Sequence, residues 1–363
     1  MKKFQIICGF LLVVSVFASV MVLKADADPV HVVLIEDPQF PSLNSYARSQ
    51  LEDLAGDSDH FSYQPLMVAF QGDDFKNKLL GSLTLEGSIV MGCFSEACKL
   101  EVISVLDEKP TPFFYTGRST GLITKPYLWN FGSVFNQSIQ PILALMETKS
   151  FSEPIILGDE SIESVLTAKI LKDIFTARSL NWKELHNIDL DSTLLSIESL
   201  DKGLETAFLI STSCNKNGWN LLEALANTHN YIFHTCSHRF TEIDSERIWY
   251  SASVDDSGLS EIQFFIEIAT SFLREELERG AFNVERLSNM EFSVRNQMAV
   301  MDAKNQHVWH SRNIYSLKNK KVNVQQRGNR IIRPVVFPIF RQKSEWSLSL
   351  ELYWRNHNGS WRS

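Results

Sequence analysis

The sequence predicts an α/β protein made of two strand–helix units with parallel sheets. Three observations carry this. Short β-branched runs alternate with amphipathic helical segments along most of the chain. Its 363 residues, 44% hydrophobic and 21% charged, fit two domains of common size and exclude disordered, collagen-like and coiled-coil classes. No short repeat, low-complexity tract or Pro/Ser-rich linker divides it, so several short crossings join the two units.

Val30–Glu36 (VHVVLIE) reads as a buried strand, and residues 42–54 carry apolar residues at helical spacing. Residues 87–93 (GSIVMGC) form a second strand that breaks at Gly92. A helix over residues 97–107 follows and stops before Pro110. Residues 109–114 (KPTPFF) are a loop or short strand, residues 129–132 end another short segment, and residues 138–148 are a helix with Ile139, Ile142, Leu143 and Met146 on one face. The second unit starts with a strand over residues 155–158 and a helix over residues 161–175. It continues with strands at residues 206–211, 231–235 and 247–252 and a helix at residues 219–227. Residues 260–277 are the longest amphipathic helix. Alternating strands at residues 297–301, 308–317 and 321–326 close the chain as antiparallel hairpins.

The first 27 residues read as an export signal. Lys2 and Lys3 precede an apolar run from Phe4 to Leu23, and Ala25-Asp26-Ala27 has the small-x-small form of a cleavage site. An uncleaved inner-membrane anchor is the alternative, because the run nears bilayer-spanning length. Cleavage removes three lysines and one aspartate and takes the net charge from −8 to −10. Such a charge repels phosphate backbones, so nucleic acid is not an expected partner. Cys93, Cys98, Cys214 and Cys236 remain; in an oxidising compartment they form one or two bridges of unspecified connectivity or stay as buried thiols.

Signatures of chemistry are missing. The chain has no G-x-G-x-x-G, no P-loop, no G-x-S-x-G and no H-E-x-x-H. His234, Cys236 and His238 would share one strand face, but no fourth ligand stands nearby, so a strand running into a polar loop is the better reading. Asp255-Asp256-Ser257-Gly258 reads as a turn, and Asp189 and Asp191 as solvated loop charges. No enzyme, metal or cofactor is expected. In open α/β sheets ligands bind beyond the carboxyl ends of the strands. Those ends are expected at residues 93–96, 109–111, 158–163 and 211–215, around a cleft between the two units.

Several motifs carry a resemblance. Gly92-Cys93-Phe94-Ser95-Glu96-Ala97-Cys98-Lys99 is similar to the Gly-Cys-aromatic-Thr-Ser turn of the urea and short-chain amide binding proteins. Pro110-Thr111-Pro112 resembles their Tyr-Pro-Thr-Pro, and Asn136-Gln137 through Pro141 their Asn-Gln-x-x-x-Pro. Residues 301–309 resemble their Asn-x-His hairpin, and Ile332-Arg333-Pro334 through Pro338 their closing Ile-Arg-Pro-x-x-x-Pro. The chain thus resembles a divergent member of this group within the branched-chain amino acid-type receptors of ABC transporters.

The resemblance implies the type I periplasmic-binding-protein fold: two Rossmann-like lobes, parallel sheets flanked by helices, and a hinge of three crossings. The implied division is residues 28–146 with 258–288 as the first lobe and residues 147–257 with 289–340 as the second, followed by an extension over residues 341–363. Carried over by position, the ligand-binding residues are Phe94, Ser95, Glu96, Lys109, Thr111, Ser161 and Glu163. Glu96 stands where a serine is usual, Lys109 where a tyrosine is usual, and Ser161 and Glu163 where aromatic residues often sit. A buried charge must be paired or must meet a charged ligand. Glu96, Glu163 and Lys109 therefore pair among themselves, hold a zwitterion or cation, or point to solvent. The implied role is periplasmic capture of a small polar solute for an ABC permease or a sensor protein. The alternative is a degenerate binding-protein fold acting as an interaction or regulatory module in the envelope, favoured by shortened lobes and by an aromatic tail whose residues 347–354 alternate as an edge strand.

Overall fold

The structure is a computed structural model that describes residues 29–69, 73–85, 87–149, 154–158, 160–185, 207–210, 231–234, 245–253, 260–280, 282–295, 297–319, 321–328 and 331–334, with residues 352 and 355–356 near the C-terminus. The export segment, the helix expected at 219–227, the 235–238 and 255–258 motifs, Asp189, Asp191, Cys214 and Cys236 lie outside these residues, as does nearly all of the aromatic tail.

The first sheet consists of β1 (Val30–Glu36), β2 (Phe61–Met67), β3 (Ser88–Gly92), β4 (Phe113–Tyr115) and β5 (Leu128–Asn130), all parallel, in the order β2-β1-β3-β4-β5. Every residue of β1 is buried, which explains its apolar run over residues 32–35: a central parallel strand has no solvent face. One face of the sheet packs against α1 (Pro41–Asp57) and α6 (Glu261–Arg279); the other packs against α2 (Asp73–Ser82) and α3 (Glu96–Leu106).

The second sheet runs β15-β14-β10-β9-β8-β6-β7. Its parallel strands are β6 (Ile155–Leu157), β7 (Lys183–Leu185), β8 (Ala207–Ile210), β9 (Tyr231–His234) and β10 (Ile248–Ala252). The antiparallel β14 (Asn313–Lys318) and β15 (Lys321–Gln326) close it. Helices α4 (Phe135–Lys149) and α5 (Ile162–Ala177) share its apolar cluster with Trp249 and Ile314. A third, antiparallel sheet contains β11 (Glu291–Val294), β12 (Gln297–Met301) and β13 (Val308–His310).

Three crossings join the main sheets: between β5 and α4, between β10 and α6, and between β13 and β14. The last corrects a sequence expectation. Residues 308–317 are not one strand; the chain breaks at Ser311-Arg312 and the halves pair in different sheets, because Arg312 is drawn into a buried ion pair. The packing also departs from the expected lobes. Helix α4, expected with the first unit, lies on β10 and β14. The small sheet, expected with the second, shares its buried cluster with the first sheet through Phe292, Ala299, Met301 and Val308, with Phe131 and Phe292 in ring contact at 6.4 Å.

Candidate functional site

The carboxyl ends of β3, β4 and β5 meet in a layer of close backbone packing. Gly92 has φ +115°, and a Cβ there would lie 2.3 Å from the Ile35 carbonyl oxygen. A Cβ on Gly132 would lie 1.7 Å from that of Gly117. Only glycine permits this approach. Beyond Gly92, Cys93 takes a left-handed backbone (φ 59°), and its sulfur is joined to Cys98 in the first turn of α3. This settles one pairing that the spacing leaves open.

Ser95 caps α3. Its oxygen accepts from the Cys98 N–H at 3.2 Å while its hydroxyl donates to Asp37 Oδ2 at 2.6 Å. Burial raises the Asp37 carboxyl above its ordinary pKa, with the donor bonds from Ser95 and backbone groups opposing the shift. Phe94 is buried edge-on against Phe40, 6.2 Å between centroids. Glu96 and Lys99 form a wholly buried ion pair (2.7 Å). Thr120 donates its hydroxyl to Glu96 Oε1 (2.9 Å) and its N–H to Oε2, and Lys99 donates to Ser119 Oγ (2.9 Å). Lys99 also lies 4.8 Å from the centroid of the Tyr115 ring. Thus the charge of Glu96 is neutralised from within its own helix.

Ser161 is placed equivalently in the second unit. It caps α5, its oxygen accepting from the Ser164 N–H at 3.2 Å, and α5 packs against α3. Glu163 is the second residue of that helix. Two Ser-capped helix starts, one from each sheet, therefore stand at the strand exits, and helix starts carry partial positive charge.

Lys109 and Thr111 are not brought to this place. Strand β4 begins at Phe113, so both lie before it, at the opposite edge of the sheet. Lys109 is exposed and donates to the Leu83 carbonyl, and the Thr111 hydroxyl bonds the Lys109 carbonyl at 3.1 Å. The true exit of β4 is Thr116–Thr120. The signal for it was the apolar FFY run after Pro112, which outweighs the proline-flanked residues before it as a strand core. Thr116 is fully buried, and its hydroxyl has no hydrogen-bond partner among the described residues.

A buried polar cluster ties the second and third crossings together. Arg312 donates from Nε to Ser251 Oγ at 2.9 Å, from Nη2 to the Ser251 carbonyl, and from Nη1 to Glu261 at the start of α6. Ser253 bonds both Glu261 (3.2 Å) and the His310 Nδ1. Burial opposes ionisation of Glu261, but Arg312, with Arg118 and His310, holds its carboxyl below the ordinary range. Burial and then Arg312 push the His310 imidazole down to about 3. Among the described residues no cluster of His, Cys, Asp and Glu is arranged to hold a metal ion, and no helix is long and apolar enough to cross a membrane.

No protein-family model and no curated protein matches this chain. Solved structures do. A solute-binding protein of an ABC transporter from Rhodopseudomonas palustris HaA2, in complex with p-hydroxybenzoic acid, superposes with a TM-score of 0.68 at 11% identity, covering 87% of this chain and 100% of that one. A leucine-binding protein from Thermotoga maritima gives 0.66 at 13% identity, covering 84% and 99%. A leucine-, isoleucine-, valine-, threonine- and alanine-binding protein from Brucella ovis, in a closed conformation, gives 0.65 at 12% identity, covering 85% and 98%. The fold is that of the type I periplasmic binding proteins.

Proposed function

We propose that the chain is a non-enzymatic solute receptor of the periplasm, exported by its N-terminal segment, that holds a small polar molecule between its two sheets for an ABC permease or a sensor. The observation that carries this is the pair of Ser-capped helix starts, α3 and α5, brought together from opposite lobes at the strand exits. The lobes close by rotation about the three crossings. The ligand class is a carboxylate, amino acid, amide or urea, each offering an oxygen to the helix starts. The similar structures' named ligands, benzoates and branched-chain amino acids, support the carboxylate members. The motif resemblance supports the amides.

Ser95 and Ser161 cap the two helix starts, Phe94 and Glu163 flank them, and Thr116 adds a buried hydroxyl with no partner among the described residues. Glu96 serves by holding the 119–120 loop through Thr120 rather than by meeting ligand charge. The test is a thermal-shift panel of small carboxylates, amino acids, short amides and urea. At least one compound is expected to raise the melting temperature by several degrees, since a ligand at 100 times its Kd adds about 2.7 kcal/mol. A flat panel overturns the receptor reading.

One observation favours a second reading, a binding-protein fold turned to protein interaction in the envelope. The hydrogen-bonding capacity of Asp37, Ser95 and Glu96 is engaged internally, and Ala97 and Leu100 of α3 share one apolar cluster with Ile162 and Leu166 of α5. A stable envelope partner recovered with a flat panel would establish it.

A further inference from the structure

We propose that Asn130 and His307 together bind one internal water molecule at the seam between the first sheet and the small sheet. The two residues are joined by a parallel backbone bridge, with the Asn130 N–H on the Gln306 carbonyl at 2.8 Å. Residues paired across a ladder point to the same face. The row Tyr115, Asn130, His307 therefore lines one face, under Lys99.

Both side chains are essentially inaccessible (1% and 0% exposed). Neither atom of the Asn130 amide has a partner among the described residues, and neither has His307 Nε2. The tautomer follows from geometry. His307 Nδ1 faces the Asn305 carbonyl, an acceptor, so Nδ1 carries the proton and Nε2 is a bare acceptor. Burial, with the Lys99 ammonium nearby, keeps the ring neutral.

These groups define their guest. It must donate to Nε2 and meet an amide that both donates and accepts. A cation is repelled by Lys99, and an anion has no use for a bare imidazole lone pair. A neutral molecule with two donors and two acceptors, small enough to be enclosed between two neighbouring side chains, fits, and water is that molecule. Leaving such groups unbonded in the interior costs about 1–3 kcal/mol each, whereas ordering a water costs at most about 2. The water ties His307, just ahead of β13 and the third crossing, to the edge strand β5.

A crystal structure of the full chain tests this. Density for one water within hydrogen-bond distance of His307 Nε2 and one Asn130 amide atom is expected. The Asn130 amide donating directly to Nε2, or no density between the side chains, overturns the proposal. In solution, the Asn130 side-chain amide protons should show an NOE to a slowly exchanging water, and its absence equally overturns it. Both readouts are independent of the receptor reading.

Discussion

At the residue scale, polar groups buried at the strand exits govern the chemistry. The folded state holds the His307 and His310 imidazoles neutral, with pKa values of about 4 and about 3 against an ordinary 6.5. The unfolded chain therefore binds more protons between about pH 6.5 and 3. Stability is full above 6.5 and falls as the pH drops through that window, with Glu261 adding a loss in the same direction below its ordinary range. Melting temperatures taken from pH 8 to 4 should decline by an amount corresponding to a few kcal/mol; a profile flat down to pH 4 would contradict the neutral, buried assignment. Lys99→Met should destabilise by roughly 3–5 kcal/mol in chemical denaturation, because Glu96 is left buried and unpaired. Adding Glu96→Gln should recover part of that loss. A Lys99→Met variant as stable as the parent would show that the pair carries no such cost. The i,i+3 spacing of Glu96 and Lys99 was visible in the sequence. Their complete burial was not, because it depends on the 119–120 loop folding over them from elsewhere in the chain.

At the element scale, the sequence announced those elements whose pattern is local. The β-branched run of β1 and the apolar face of α6 are readable from spacing, and the structure closes α6 with a Ser260–Gln263 capping box and a left-handed Gly280. Strand β2 was missed because Phe61–Met67 contains Pro65 and is largely exposed; it is an edge strand, where proline is tolerated. The error at Lys109–Thr111 came from placing a strand exit at the proline-flanked residues, when the strand core lay four residues further on at Phe113–Tyr115. The Cys93–Cys98 bridge closes a short loop around the Ser95 cap. Replacing both cysteines with serine should cost about 2 kcal/mol in denaturant unfolding, as expected for a loop of that length. No loss would mean that the glycine-packed turn holds this conformation unaided.

At the scale of the whole molecule, alternating strands and helices sufficed to predict two parallel sheets and several crossings. They did not predict which unit each late element joins. Helix α4 moves to the second sheet and β11–β13 to the first, since long-range packing, not local pattern, assigns them. The second and third crossings are not independent threads. Arg312 on the third grips Ser251 and Glu261 on either side of the second, so rotation of one lobe against the other must carry both segments together. A coupled pair of crossings of this kind accords with the proposal that the molecule encloses a solute.

Native mass spectrometry of the chain, purified without refolding, tests the proposed enclosure most directly. A receptor should carry a one-to-one adduct of small-molecule mass, lost on denaturation and restored by at least one carboxylate, amino acid or amide. A spectrum that shows only the bare polypeptide, whichever of these compounds is added, would contradict solute capture.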